Sequence, residues 1–195
     1  EPPGGIVPTL LGLPGHPLTL DLRLAGPPEG AKLSLEAGLG PEAALSAEGE
    51  VRATAGGAYG AKVQGRVRAA PLLPPDLAPL ASPVEYALDA DKPVDGPLAL
   101  RSLRVSAPAG SATADGTVRL GTEALDLRLT LDLAEAKRFA ALLPQGVAWS
   151  DLKAEARVTG TLSEPAVALE AAPESLGTGV AYVDAVLGPS PRLAL

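Results

Sequence analysis

The chain has 195 residues, which suits one or two domains and is long enough to bury a sizeable core. Its net charge of −7 argues against nucleic acid as a main partner, because phosphate binding requires clustered Lys and Arg. The absence of cysteine excludes disulfides, thiolate metal sites and cysteine nucleophiles.

Residues 1–16 are rich in Pro and Gly, and we expect a loose leading segment there. From Pro17 onward, runs of alternating apolar and polar residues are separated by Gly- and Pro-containing turns, which is typical of antiparallel strands. The alternation predicts strands at 17–25, 31–37, 43–55, 60–69, 83–90, 97–100, 102–107, 111–120, 123–133, 151–161 and 165–171. Helical spacing of Leu, Ala and Val predicts short helices at 71–80, 134–143 and 176–187.

The clearest alternation lies between Leu125 and Leu133, where five leucines alternate with Asp, Arg, Thr and Asp. Successive side chains of a strand point to opposite faces, so this strand has one apolar and one polar face. Because the pattern recurs along the chain, we expect a long apolar face. Its candidate groove-lining residues are Leu18, Leu20, Leu22, Leu24, Val63, Val67, Val84, Tyr86, Leu88, Val118, Leu120, Leu125, Leu127, Leu129, Leu131, Leu133 and Val158.

An internal repeat connects these strands. Gly49-Glu50-Val51-Arg52 matches Gly116-Thr117-Val118-Arg119, and a strand and a short helix follow each. The offset is about 67 or 68 residues throughout, which favours a stacked architecture whose units extend one sheet. We assign the units approximately to 49–115 and 116–175, within one repeat region spanning 17–195.

Motifs for catalysis or metal binding are weak in this sequence. His16 is the only histidine and lies in a Pro-Gly context that is unsuited to a rigid catalytic triad. The stretch 89–96 resembles a calcium loop, but Pro93 and Leu100 stand where an EF-hand needs ligands, so a hairpin turn is favoured. We interpret Arg66 and Arg68 as part of a solvated strand face. We therefore expect no enzyme activity, no metal and no cofactor.

The apolar face allows two architectures. Either this face packs against a second sheet in a β-sandwich, or the sheet curls so that the face lines an open trough. Only 3% of the residues are aromatic, and the predicted helices are too short to cover a long face. The trough is therefore favoured. Leu, Val and Ala lining such a trough would favour acyl chains without specific polar contacts.

The stretch 110–169 resembles the repeat of the TamB family, which are large AsmA-like proteins of the bacterial envelope. The most specific piece is the V-T-G-T-L-x-x-P pattern from Val158 to Pro165. The other matching pieces are 112–120, the leucine-rich strand 125–133, the helix ending in Leu142-Leu143-Pro144, and 149–158. Residues 49–107 follow the same plan more loosely, so the resemblance covers most of 18–195.

This resemblance implies an all-β fold with a few short helices, built as an elongated, curled antiparallel sheet called a β-taco, with a hydrophobic groove. It also implies a role in outer-membrane biogenesis in the periplasm of a Gram-negative bacterium, within a protein anchored in the inner membrane. Phospholipid acyl chains would be the cargo, with transport between the two membranes.

Two other functions stay open. One is a chaperone or scaffold segment that helps assemble and secrete outer-membrane β-barrel proteins with a TamA-like barrel partner, which other parts of the parent protein would contact. The other is a plain structural β-sandwich. The chain lacks Met and a signal peptide, so we expect a fragment of a longer protein, and no apolar run is long enough to span a bilayer.

Overall fold

The computed structural model describes residues 16–41, 43–53, 56–119, 121–161, 163–173 and 175–183, together with the backbone of 193–194. The predicted all-β fold is confirmed, since antiparallel strands account for most of the described residues and the helices are few and short. The strands are β1 (Leu18–Ala25), β2 (Ala31–Leu39), β3 (Ala43–Ala53), β4 (Tyr59–Arg68), β5 (Val84–Lys92), β6 (Leu98–Ala107), β7 (Gly110–Arg119), β8 (Ala124–Leu133), β9 (Ala148–Trp149), β10 (Leu152–Thr161), β11 (Pro165–Pro173), β12 (Leu176–Gly177) and β13 (Leu193–Ala194).

The ten long strands form one sheet in the order β1-β2-β3-β4-β5-β6-β7-β8-β10-β11, and the two-residue strand β13 pairs with β11 at its far edge. Each long strand is antiparallel to its neighbours, so the chain runs up and down across the sheet. The short strands β9 and β12 form a separate pair beside this sheet. Because nearly all pairing is between strands adjacent in sequence, local turns are sufficient to set the topology.

The predicted helices are mostly wrong. Residues 71–80 contain four prolines, which lack the N–H donor and disfavour helical geometry at the preceding residue, so only a 3-10 turn (Ala70–Leu72) and a single helical turn, α1 (Ala78–Ala81), form. Within 134–143 only a 3-10 turn forms, at Ala136–Phe139, because so short a segment nucleates a helix poorly.

The predicted helix at 176–187 is wrong at its start. Leu176 and Gly177 form strand β12, which pairs with Trp149 and Ala148. Gly179 has a φ of 77°, which interrupts helical backbone geometry. The stretch 184–187 lies outside the described residues, as do 1–15 of the predicted leading segment and 54–55 of the third predicted strand.

The two strands predicted at 97–100 and 102–107 are one strand, β6, which contains a β-bulge. Leu100 pairs with Gly116 of β7, whereas Leu103 pairs with Ala114, so two residues of β6 stand opposite one residue of β7. The extra residue shifts the alternation by one position. The sequence pattern therefore looks like two strands although the backbone continues.

The helical segments and the connections between strands close one end of the sheet. The amide of Ala109 donates to the carbonyl of Leu80 at 3.0 Å, and the amide of Ala134 donates to the carbonyl of Ala109 at 2.8 Å. Leu80 and Ala136 are buried here. Next to Ala136, the Lys137 ammonium bonds the Glu135 carboxylate and holds the pKa of that exposed carboxyl below its usual range.

Trp149 anchors this end of the sheet. Its indole N–H donates to the carbonyl of Ala134 at 2.8 Å, and its ring centroid lies 5.6 Å from that of Phe139. We expect Trp149→Phe to lower the free energy of unfolding by about 1 kcal/mol, because the ring contact is kept but the half-buried carbonyl loses its donor. Urea unfolding followed by circular dichroism measures this change. Tyr182→Phe is the control at an exposed position, and equal stability of both variants would contradict the assigned hydrogen bond.

Candidate functional site

The strand register places the apolar residues of all ten long strands on one face of the sheet. Residues paired across neighbouring strands share a face, so the register can be followed from one edge to the other. One such row consists of Leu22, Leu35, Ala47, Gly65, Tyr86, Val105, Ala112, Leu131, Ala154 and Ala171. The neighbouring row consists of Leu24, Leu33, Gly49, Val63, Leu88, Leu103, Ala114, Leu129, Ala156 and Leu169. We call this surface the apolar face.

Every described residue that the sequence predicts to line a groove lies on the apolar face. The predicted residues come from β1, β4, β5, β7, β8 and β10, which are brought together only by the sheet. Leu120 lies outside the described residues. Binding of a lipid by these residues stays a prediction at this point.

The prediction misses a large part of the apolar face. The leucines that it omits are Leu33, Leu35, Leu39, Leu45, Leu98, Leu100, Leu103, Leu152 and Leu169. Most of them follow the same alternation as the chosen residues, so extending that rule to every predicted strand would have found them. Leu98 and Leu100 are different, because the bulge in β6 hides their relation to Leu103.

Charge is nearly absent from the apolar face. Within the ten long strands, every position on this face is Leu, Val, Ala, Gly, Pro or Tyr, except Lys92 at the end of β5. Lys92 pairs with Tyr59 of β4 at the end of the sheet. Its ammonium donates to the carbonyls of Pro93 at 2.7 Å and Val94 at 3.4 Å. The one cationic side chain is therefore at the rim and directed to the turn.

The apolar face is not buried beneath a second layer. Among the described residues the buried apolar side chains are Ala31, Leu39, Ala47, Leu80, Ala136, Ala154 and Pro173. Leu20, Leu22 and Leu24 of β1 are 62–67% exposed, and Val167 of β11 is 58% exposed. The described leucines therefore do not form a closed core between two sheets.

The apolar face extends over the whole area of the ten-stranded sheet. Five alternate positions along a strand span roughly 26 Å and ten strands span about 43 Å, so the projected area is about 1,100 Å². The largest apolar patch on a typical monomer is about 300–600 Å². Most positions on the inner strands are half-buried by their neighbours, so the exposed part of this area is smaller and lies mainly on the first and last long strands, β1 and β11.

Glycines bring neighbouring strands close together on the apolar face. Gly116 of β7 lies between Leu100 and Leu127 and has a φ of 142°. A Cβ atom there would overlap the carbonyl oxygen of Asp126 and lie 2.8 Å from the Cα of Leu127. Only glycine fits at such a position, which is where a sheet bends.

The opposite face of the sheet is polar and holds its charges in pairs. Arg66 bonds Glu85 across β4 and β5, so the basic pair predicted at 66 and 68 is partly neutralised. Arg157 lies 3.2 Å from Asp126 across β8 and β10. Exposed pairs of this kind contribute at most about 1 kcal/mol each. The charges of the polar face therefore keep it solvated and add little to the stability of the sheet.

Shallow depressions lie on this polar face. One of about 410 Å³ is bordered by Ser46, Gln64, Arg66, Glu85 and Arg104. The apolar face is an extended open surface by contrast, and a groove along it stays a prediction.

The stretch 89–96 forms the end of β5 and a hairpin turn to β6, as predicted. Asp89 lies 3.9 Å from Lys62, and Asp91 pairs with Arg101, so both carboxylates have cationic partners. No group of three or more His, Asp or Glu in the described part of the chain is arranged to hold a metal ion. His16 packs against Gly40 beside the start of β1.

Within the same described ranges, no helix is long and apolar enough to cross a membrane. Comparison of the chain with models of known protein families, with curated proteins and with solved structures gives no match.

Proposed function

We propose that the chain is a non-enzymatic segment that shields lipid acyl chains on the apolar face of its sheet. The observation that carries this proposal is the continuity of that face, which runs across ten strands without a charged side chain in its interior. Its exposed part, which includes Leu22, Leu131 and Val167, is removed from water when a ligand or partner covers it.

Acyl chains match this surface in chemistry. A surface of Leu, Val and Ala binds by apolar burial alone, at about 25 cal/mol per Å². Covering one fifth of about 1,100 Å² would then contribute about 5 kcal/mol. Because no charged side chain in the interior fixes a ligand in one place, such binding tolerates movement along the face, which suits transport.

The resemblance to the TamB family suggests the cellular location in which this activity would operate. We propose a periplasmic segment of a protein that is anchored in the inner membrane and carries phospholipid toward the outer membrane. The order of two long strands, a helical segment and two long strands occurs at β3–β6 and again at β7–β11, where the two-residue strand β9 follows the helical segment, and this order supports a repeated unit. Curling of successive units would enclose the apolar face as a groove.

The direct test is photo-crosslinking from Leu129, which lies near the middle of the apolar face on β8. The full chain carrying a photo-reactive amino acid at Leu129 is irradiated in a cell envelope extract, and the adducts are identified by mass spectrometry. We expect phospholipid adducts at Leu129 and none at Thr130, which points to the polar face of the same strand. Equal lipid labelling at both positions, or none at Leu129, would contradict the proposal.

A chaperone role is the second candidate, favoured by the place of β1 at the end of the described sheet, where Leu20, Leu22 and Leu24 are exposed. An unpaired edge accepts an extended segment of an unfolded strand by β-augmentation. In the same crosslinking experiment, outer-membrane protein adducts at Leu129 in place of lipid adducts would favour this role. A TamA-like barrel protein among those adducts would extend it to barrel assembly.

A further inference from the structure

Tyr86 of β5 places a hydroxyl group in the interior of the apolar face. It lies between Gly65 of β4 and Val105 of β6, and β5 is the fifth of the ten long strands. Tyr59 and Lys92 also carry polar groups on this face, but they stand opposite each other at its rim. Among the described positions of the ten long strands, the Tyr86 hydroxyl is therefore the one polar side-chain group in the interior of the face.

The ring of Tyr86 lies along the sheet and covers a glycine. A Cβ atom at Gly65 would be 2.6 Å from the Tyr86 hydroxyl oxygen and 2.8 Å from its Cζ. An aromatic ring that covers a cross-strand glycine stabilises a sheet, but this contact uses the ring alone. Phenylalanine would cover Gly65 equally well, so the packing of the ring does not account for the hydroxyl.

The Tyr86 hydroxyl has hydrogen-bonding capacity to spare. Its acceptor is the carbonyl oxygen of Ser46 on β3, at 3.5 Å. Bonds between a hydroxyl and an oxygen are usually about 2.7–2.8 Å long, so this one is weak. It is also exposed, so a ligand that lies on the apolar face can reach the donor.

We propose that the Tyr86 hydroxyl donates a hydrogen bond to an ester carbonyl of the lipid that covers the apolar face, and thereby selects ester-linked over ether-linked lipids. This inference rests on the proposed function, because it concerns the lipid bound to that same face. A bound lipid can settle at the optimal distance from the hydroxyl, whereas the backbone of Ser46 is held in the sheet. One neutral hydrogen bond changes affinity by about fivefold, so the lipid can still move along the face.

The acceptor is a neutral carbonyl rather than the phosphate of a headgroup, because no cation in the described part of the face lies near Tyr86. Lys92 is six residues further along β5, roughly 20 Å away. Arg66 and Arg104 belong to the polar face. A phosphate without a cation is costly to remove from water, whereas an ester carbonyl needs only a single donor.

A comparison of diester and diether phosphatidylcholine of equal chain length tests this preference. In the diether lipid a methylene group replaces each ester carbonyl, while the headgroup and the chains are kept. The full chain is incubated with an equimolar mixture of the two lipids in detergent micelles, and native mass spectrometry gives the amount of each that stays bound. We expect the ester-to-ether ratio of Tyr86→Phe to be about fivefold lower than that of the unchanged chain.

Tyr59→Phe is the matched control, since it removes the same group from the same face at the rim, where the exposed side chain can bond to water. Its ratio should equal that of the unchanged chain, and circular dichroism confirms that both variants are folded. Equal ratios for the unchanged chain and Tyr86→Phe, with lipid bound to both, would overturn this inference and leave the proposed function intact. Failure of the unchanged chain to bind either lipid would contradict the proposed function and this inference with it.

Infrared spectroscopy of the bound diester lipid tests the hydrogen bond itself. The stretching band of an ester carbonyl lies apart from the amide bands of the protein, and a hydrogen bond lowers its frequency. We expect a low-frequency component for lipid bound to the unchanged chain that is missing for lipid bound to Tyr86→Phe. The same ester band with both chains would show that Tyr86 does not bond the carbonyl.

Discussion

Replacing Leu129 with Asp is expected to reduce phospholipid bound to the purified chain by about tenfold or more. Leu129 lies between Ala114 and Ala156 on the apolar face, so the new carboxylate would stand inside the proposed lipid contact. Leaving an ionised group unpaired against acyl chains costs several kcal/mol, and about 1.4 kcal/mol already corresponds to tenfold in binding. Native mass spectrometry of the chain after extraction from membranes measures the bound fraction.

Thr113→Asp is the matched control for this experiment. Thr113 is on the adjacent strand β7 but on the polar face, where it lies opposite Arg104. The same charge added there faces water and a cation, so lipid occupancy and stability should be nearly unchanged. If Leu129→Asp retained its lipid, or if both variants lost it equally, the apolar face would not be the lipid site.

Gly116→Ala is expected to cause the largest loss of stability, about 2–4 kcal/mol in the free energy of unfolding. A φ of 142° is strained for any residue with a Cβ, and that atom would overlap the carbonyl oxygen of Asp126. To relieve the overlap, β7 and β8 must separate where Leu127 lies beside this glycine. Urea unfolding followed by circular dichroism measures the change.

Gly121→Ala serves as the control for Gly116→Ala. Gly121 is in the turn between β7 and β8, and an added Cβ there would meet no atom within 4 Å. The substitution removes conformational freedom from the unfolded chain, so stability should stay the same or rise by up to about 1 kcal/mol. A similar loss of stability in both variants would show that the close approach of β7 and β8 at Gly116 does not cause it.

The strands were predictable because their pattern is local. Alternation along Leu125 to Leu133 defines a strand and its two faces without knowledge of its neighbours, and antiparallel pairing between sequence neighbours assembles the rest. The helical segments were not predictable in the same way. Their Leu and Ala spacing resembles a helix, but the prolines of 71–80 and the shortness of 134–143 leave only short turns.

The composition of the site was predictable, but its extent and limits were not. Alternation identifies which residues share a face, yet the pairing of Leu22 with Leu35 and of Leu129 with Ala156 follows only from the register. The place of Lys92 at the rim depends on where β5 ends. The place of β1 at the end of the described sheet depends on the order of all its strands, so it cannot be predicted from one segment of sequence.

The bulge in β6 keeps the apolar residues before it and after it on the same face of the sheet. If β6 paired with β7 regularly and without a bulge, either Leu98 and Leu100 or Leu103 and Val105 would point into water while an arginine took a place among the leucines. Deleting Arg101 would leave Ser102 alone opposite Asp115 and would restore strict alternation along β6, so it would remove the bulge without moving a leucine to the other face. A single extra residue in another strand of this protein should therefore be tolerated where a bulge can absorb it, and otherwise only in a turn.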